Sequence, residues 1–325
     1  VENYIIRKYS KKDFIAWNDF INQAKNATFL FHRDFMEYHQ DRFEDHSLLV
    51  FEKEKLVAVL PANIAGNVLH SHQGLTYGGL VYSDKLKLEK ILKIFKAVLQ
   101  FLHENGIATL YLKILPHIYT ASPSEELEYI LFLTEAELIR RDSMAVIQMN
   151  NPVRLDKGRK EGVAKGVKNQ LNVKETTGFE SFWNEILVPN LQKKHGAKPV
   201  HSLEEITGLQ AKFPQNIRQF NVYSGEQLVA GTTVFETPEV AHLQYISGNE
   251  TKNESGSLDF LHHYLLTSVF HNKNYFDFGI SNENQGKNIN QGLSFWKESF
   301  GARTIVQNFY KVNTANFSNL DNVLI

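Results

Sequence analysis

The chain has 325 residues, 42% hydrophobic and 22% charged, and its 35 basic and 36 acidic side chains leave a formal net charge of -1. Such a composition suits a packed globular protein long enough for two domains; it excludes dominant disorder and a surface built throughout to hold a polyanion. The absence of cysteine excludes disulfides, thiolate metal sites and cysteine nucleophiles, and with no run near the roughly 18 to 20 apolar residues of a membrane span and no apolar signal-peptide core in VENYIIRKYSKKDF, a cytoplasmic location is expected.

In chain order, NYIIRKYS has strand composition, and Ser10 opens a helix with Phe14, Trp17, Ile21 and Ala24 at helical spacing and Asp13 as the capping-box acid. From His46 the pattern predicts an antiparallel meander: two apolar runs about the turn Glu52 to Lys55, then a third after Gly66-Asn67. A helix is predicted from Leu86 to Asn105, with Leu88, Ile91, Leu92, Phe95, Leu99 and Leu102 on one face and Gly106 as its stop. ATLYLKIL follows as a buried strand, so the helix should cross between two parallel neighbours.

The second half repeats this order. RQFNVYSGEQLVAGTTVFE predicts a hairpin turning at Ser224-Gly225, VAHLQYIS a further strand, Ser257 to Asn272 a helix carrying Leu258, Leu261, Leu265 and Val269, and NYFDFGIS the strand after it. Glu54-Lys55-Leu56-Val57-Ala58 answers Glu226-Gln227-Leu228-Val229-Ala230 at the same step of the same order, which points to an internal duplication. We expect domains at 1–150 and 151–325. The junction, 151–175, is the most basic stretch, with Arg154, Lys157, Arg159, Lys160, Lys165, Lys168 and Lys174. It is either a solvated helix or an anion-binding surface beside a cleft between the domains.

This doubled order resembles the acyl-transferase fold of the GNAT superfamily in its tandem form, the Fem family of aminoacyl transferases and the bacterial FemAB-like N-acyltransferases. The likeness is carried by YGGLV from Tyr77 to Val81, by the basic segment, and by the ending GLSFWKESFGAR from Gly292 to Arg303. It implies an α+β protein of two tandem GNAT-like domains, each a mixed, mostly antiparallel sheet flanked by helices. It also implies an acyl-CoA or aminoacyl-tRNA co-substrate, with no tightly bound cofactor, and a small-molecule or peptide-precursor amine as acceptor: a cell-wall precursor, an amino sugar or another metabolite. In the GNAT pattern the donor enters between two splayed strands, here Ala241–Ser247 and Tyr275–Ile280, and its pyrophosphate rests on a helix N-terminus. Ser255, Gly256 and Ser257 match that loop in position. Only its middle glycine is kept, Glu254 and Asp259 bring negative charge beside it, and helix capping explains Ser255 and Ser257 equally well.

The resemblance gives Lys297 the charge-stabilising role of the aromatic-Lys position. Without it, Lys297 reads as a surface lysine beside core residues Phe295, Trp296 and Phe300. Glu283, at the end of a strand, is the carboxylate candidate for a base or amine-orienting group; the alternative is a solvent-facing loop acid. His242 and Tyr245 on the first splayed strand, Asn282, Asn284 and Gln285 after the second, and Tyr77 are the candidate substrate contacts. Amides both donate and accept, but the same run would also make a capped turn. Neither His70-Ser71-His72 nor His262-His263 has a third nearby ligand, so no metal site is expected. A transfer of tRNA-borne groups would use the 154–174 segment; a binding or regulatory protein that kept the fold is the alternative from another class.

Overall fold

The computed structural model describes residues 4–151 and 153–325; residues 1–3 and 152 lie outside the described residues. Two compact units emerge. The first holds residues up to Asp142 together with Gln285–Lys287 and Val306–Ile325, and the second holds Ser143–Asn284 and Asn288–Ile305.

In the first unit, Tyr4–Lys8, Leu48–Glu52, Lys55–Leu60 and Val81–Tyr82 form one antiparallel sheet. The expected third strand of the meander leaves this sheet. Pro61 follows Leu60 and has no N–H for the ladder, so the chain turns away, with the Ala62 N–H donating to Ser47 Oγ at 3.1 Å instead. Asn63–Ala65 and Val68–His70 then form their own hairpin, and Val68–His70 runs parallel to Thr109–Lys113. The crossover between them contains the helix Leu88–Glu104. It buries Ile91, Leu92, Ile94, Phe95, Val98, Leu99 and Leu102, whereas Leu88, expected on that face, is exposed in the first turn. Gly106, at φ +76°, ends it because only glycine enters the left-handed region without a Cβ penalty. Phe309–Asn313 closes the far edge of Thr109–Lys113, placing Val312 in this core.

The second unit has the antiparallel succession Asn172–Thr176, Ile217–Ser224, Gln227–Glu236, Val240–Gly248. Tyr275–Ile280 lies parallel to Val240–Gly248 on one side and antiparallel to the end of Glu137–Gln148 on the other. The crossover helix is Ser257–Tyr264, continued by a π-helical turn at Leu265–Val269. It packs Leu261, Leu265 and Leu266 into a core with Phe276, Phe278 and Phe300.

The two hairpins agree in register as well as sequence. Glu52 pairs with Lys55, Phe51 with Leu56 and Val50 with Ala58; Ser224 pairs with Gln227, Tyr223 with Leu228 and Val222 with Ala230. Val57 and Val229 are therefore the extra residues of the same bulge. Bulges are built features of a fold, so a shared one strengthens the duplication.

Candidate active site

The parallel ladder of the second unit is short: Val240 pairs with Tyr275, Ala241 with Phe276 and His242 with Asp277. Beyond this point Val240–Gly248 keeps its pairing to Gln227–Glu236, while the other strand curls away through Gly279 at φ +72°. Asp277 enforces the curl, its Oδ1 accepting the Gly279 N–H at 2.7 Å. The strands separate at the His242–Asp277 pair.

Asp277 is completely buried, and its Oδ2 lies 2.8 Å from Nδ1 of His242, whose side chain is 15% exposed. A carboxylate on Nδ1 holds the imidazole in one tautomer and orientation, leaving Nε2 to take a proton. Asp277 escaped sequence reasoning; its signal was a lone carboxylate inside the apolar run Tyr-Phe-Asp-Phe-Gly-Ile, expensive to bury unless paired. Lys297, on the helix Gln291–Glu298, is buried rather than at the surface. Its Nζ donates to the carbonyls of Gly279 at 3.0 Å and Ile280 at 2.6 Å. Burial pushes its ammonium down to about 8, against the opposing pull of Asp277. One of its three N–H groups remains for another acceptor. Of the aromatic residues expected as core beside it, Phe300 is fully buried and Trp296 packs edge-on against Phe300 and Phe278, but Phe295 is 66% exposed. Phe295 and Trp296 are neighbours on the helix Gln291–Glu298, so their side chains leave it in different directions.

The amide-rich stretch is a small hairpin, Asn282–Glu283 against Asn288–Ile289, whose tip carries Asn284 and Gln285 at positive φ. Asn282 Oδ1 accepts the Ser143 N–H at 2.5 Å, Asn284 Nδ2 donates to Asn288 Oδ1 at 3.0 Å, and Gln285 Oε1 accepts from Arg140 at 3.0 Å. Glu283 is exposed and accepts from Asn290 Nδ2 at 3.0 Å, while Asn290 Oδ1 caps the final helix by accepting the Leu293 N–H at 3.0 Å.

Other candidates lie elsewhere. Tyr245 is half-buried, with its hydroxyl 2.7 Å from His201 Nδ1 and accepting the His201 N–H at 3.1 Å; burial pushes its pKa up to about 12. Tyr77 is a buried residue of the first unit, donating to Thr28 Oγ1 at 3.0 Å. Ser255 and Ser257 flank Gly256, which at φ +71° precedes the crossover helix. The basic helix Lys157–Lys168 seals this loop from one side: a Cβ on Gly256 would overlap the Gly162 carbonyl, and Asn169 donates to the Ser255 carbonyl at 3.3 Å. Arg159 neutralises Asp259 in the helix's first turn at 2.5 Å. The Gly162 carbonyl thus covers one side of Gly256. Among the described residues no three His, Asp or Glu side chains gather as metal ligands, and no helix is long and apolar enough to cross a membrane.

No protein-family model matches this sequence, and no curated protein does. Solved structures do match. FemX aligns at TM-score 0.66 and 8% identity over 98% of this chain and 99% of its own. L-PGS from Bacillus licheniformis aligns at 0.53 and 11% over 97% and 96%. A tandem GNAT protein from the clavulanic acid biosynthesis pathway aligns at 0.52 and 10% over 96% and 99%. At such identities the likeness concerns fold alone: over nearly its whole length this chain shares the fold of FemX and of the tandem GNAT protein.

Proposed function

We propose that the chain transfers an acyl or aminoacyl group from an activated donor to an amine, at the point where Val240–Gly248 and Tyr275–Ile280 part. The observation that carries this reading is the His242–Asp277 pair, partly open to solvent at the strand divergence, with the Lys297 ammonium on the adjoining carbonyls. Amide formation needs a neutral amine, stabilisation of the carbonyl oxygen as it becomes negative, and exclusion of water. The amine nitrogen attacks the donor carbonyl carbon and the bond to the leaving oxygen or sulfur breaks. His242 Nε2 accepts the amine proton and returns a proton to the leaving group. Asp277 orients the imidazole. The free N–H of Lys297 and the unpaired backbone beyond His242 supply positive charge for the oxyanion, and Glu283, Asn282 and Asn284 face the acceptor amine.

Both acyl-CoA and aminoacyl-tRNA meet this description. The exposed Lys157, Lys160, Lys165 and Lys168 on one short helix support the tRNA-borne donor. The test is turnover with a panel of acyl-CoAs and charged tRNAs and with amines including amino sugars and cell-wall peptide precursors. Transfer from charged tRNA, lost in His242→Ala, is the expected result. Replacing those four lysines by Ala should then flatten the slope of log K against log salt by about one for each phosphate no longer neutralised. Absence of turnover and of any thermal shift with every donor would leave only a binding protein of the same fold.

A further inference from the structure

The first unit has the second unit's strand arrangement, and there it opens onto a cavity. Val68 pairs with Thr109, Leu69 with Leu110 and His70 with Tyr111, matching step for step Val240 with Tyr275, Ala241 with Phe276 and His242 with Asp277. His70 thus occupies the register position of His242. Its neighbour is different: the ring of Tyr111 stacks on His70 with centroids 5.2 Å apart and planes 14° from parallel. Beside the pair is a cavity of about 400 Å³ whose walls include His70, Tyr111, Lys113, Arg140, Phe309 and Tyr310. That is within the usual size range of small-molecule sites.

The charge in this cavity is unbalanced. Arg140 is matched by Asp142, to which Nε donates at 2.9 Å and Nη2 at 2.6 Å, and its Nη1 donates to Gln285 at 3.0 Å. Lys113 donates only to the carbonyls of Gln73 and Leu75, both at 2.9 Å, and no carboxylate pairs with it among the described residues. No Asp or Glu lines the cavity. Lys113 is half-buried, a costly place for a cation without a counter-ion, and partial burial pushes it down to about 8, with Arg140 adding to the effect. One N–H of Lys113 and the remaining N–H groups of Arg140 are left to donate.

We propose that this cavity is a second ligand site, taking a small ring-bearing carboxylate, with Lys113 and Arg140 binding the anion and Tyr111, Phe309 and Tyr310 enclosing the ring. One unmatched cation and a few donors suit the single charge and two oxygens of a carboxylate better than a phosphate dianion. The assignment is independent of acyl transfer in the second unit.

Isothermal titration of the full chain with benzoate, cyclohexanecarboxylate and glucuronate, against phenyl phosphate, glucose 1-phosphate and neutral benzamide, tests it. At least one carboxylate should bind, about tenfold or more tighter than its neutral or phosphate counterpart, and shift the amide resonances of Tyr111, Lys113 and Phe309. Its affinity should hold below neutral pH and fall as pH rises through about 8, because the ammonium loses its proton. Lys113→Met should weaken binding about tenfold or more; should that variant misfold because Gln73 and Leu75 lose their donor, the pH series and resonance mapping on the wild-type chain decide. The proposal is overturned if no carboxylate binds at about 10 mM, if the phosphates bind as well, or if binding ignores both pH and Lys113.

Discussion

Lys297 and Asp277 are both ionisable groups taken out of water, yet they do different work. The ammonium of Lys297 titrates near 8 in the folded chain against an ordinary 10.5. Between these values the unfolded chain holds a proton that the folded chain does not, so stability rises with pH across that window and is lowest below it. Lys297→Met should reduce the rise by up to about 3 kcal/mol without abolishing it, because Lys113 shares the window. Urea titrations from pH 7 to 10.5 check this, and an unchanged slope would show that Lys297 is not buried as a cation. Asp277→Asn keeps an oxygen for the Gly279 N–H but no longer fixes the tautomer of His242. The expected result is a fall in kcat of about 10²-fold or more with the melting temperature nearly unchanged; equal loss of folding would make Asp277 structural only. In the sequence Lys297 gave no sign of its environment, and Asp277 signalled its burial in an apolar run but not its partner. A lysine on an amphipathic helix normally faces water, and the bond from His242 to Asp277 spans thirty-five positions, beyond the reach of any local pattern.

Elements were more readable, because amphipathic spacing and turn chemistry act locally. The helix Leu88–Glu104 and the hairpin about Gly225 lie where periodicity predicts them, and the strand exit at Pro61 is signalled by a residue that has no N–H to give the ladder. What the pattern could not supply is which helix face another helix approaches. The basic helix Lys157–Lys168 is polar in composition, yet its Gly162 and Gly166 are buried against the crossover helix Ser257–Tyr264. A Cβ at Gly166 would come within 2.5 Å of the Phe260 Cβ. Gly166→Ala should therefore destabilise the second unit by about 1 to 3 kcal/mol, although alanine is the better helix former. Gly208, inside the helix Leu203–Lys212 with open space around its Cα, should show the opposite sign, Gly208→Ala stabilising by up to about 1 kcal/mol. Thermal or denaturant unfolding of the two variants separates packing from propensity. If both stabilise, the close approach of the two helices is wrong.

Over the whole molecule, the repeated order of elements was legible and the use of the chain's last residues was not. Strand pairing between Phe309–Asn313 and Thr109–Lys113 leaves no trace in periodicity, since each strand alone looks like any other. Yet the first unit is incomplete without 306–325. Thr314 donates from its backbone to the Ala108 carbonyl at 3.0 Å and from its hydroxyl to the Ile107 carbonyl at 2.7 Å, and Asn316 donates to the Thr134 carbonyl at 2.8 Å. Val312 and Leu320 fill the core that the helix Leu88–Glu104 covers. Removing each of these side chains alone would cost about 2 to 5 kcal/mol, and the exposed edge of Thr109–Lys113 adds unpaired backbone groups. Together these approach the whole stability of an ordinary domain, about 5 to 15 kcal/mol. A chain ending at residue 305 should thus lose amide-exchange protection throughout 88–104 and 109–113, while Gln227–Glu236, whose partners Ile217–Ser224 and Val240–Gly248 are retained, stays protected. A synthetic 306–325 peptide added in trans should restore protection in the first unit. Full protection of 109–113 in the shortened chain would mean that the pairing with Phe309–Asn313 does not hold that strand in place, and that the first unit closes its sheet some other way.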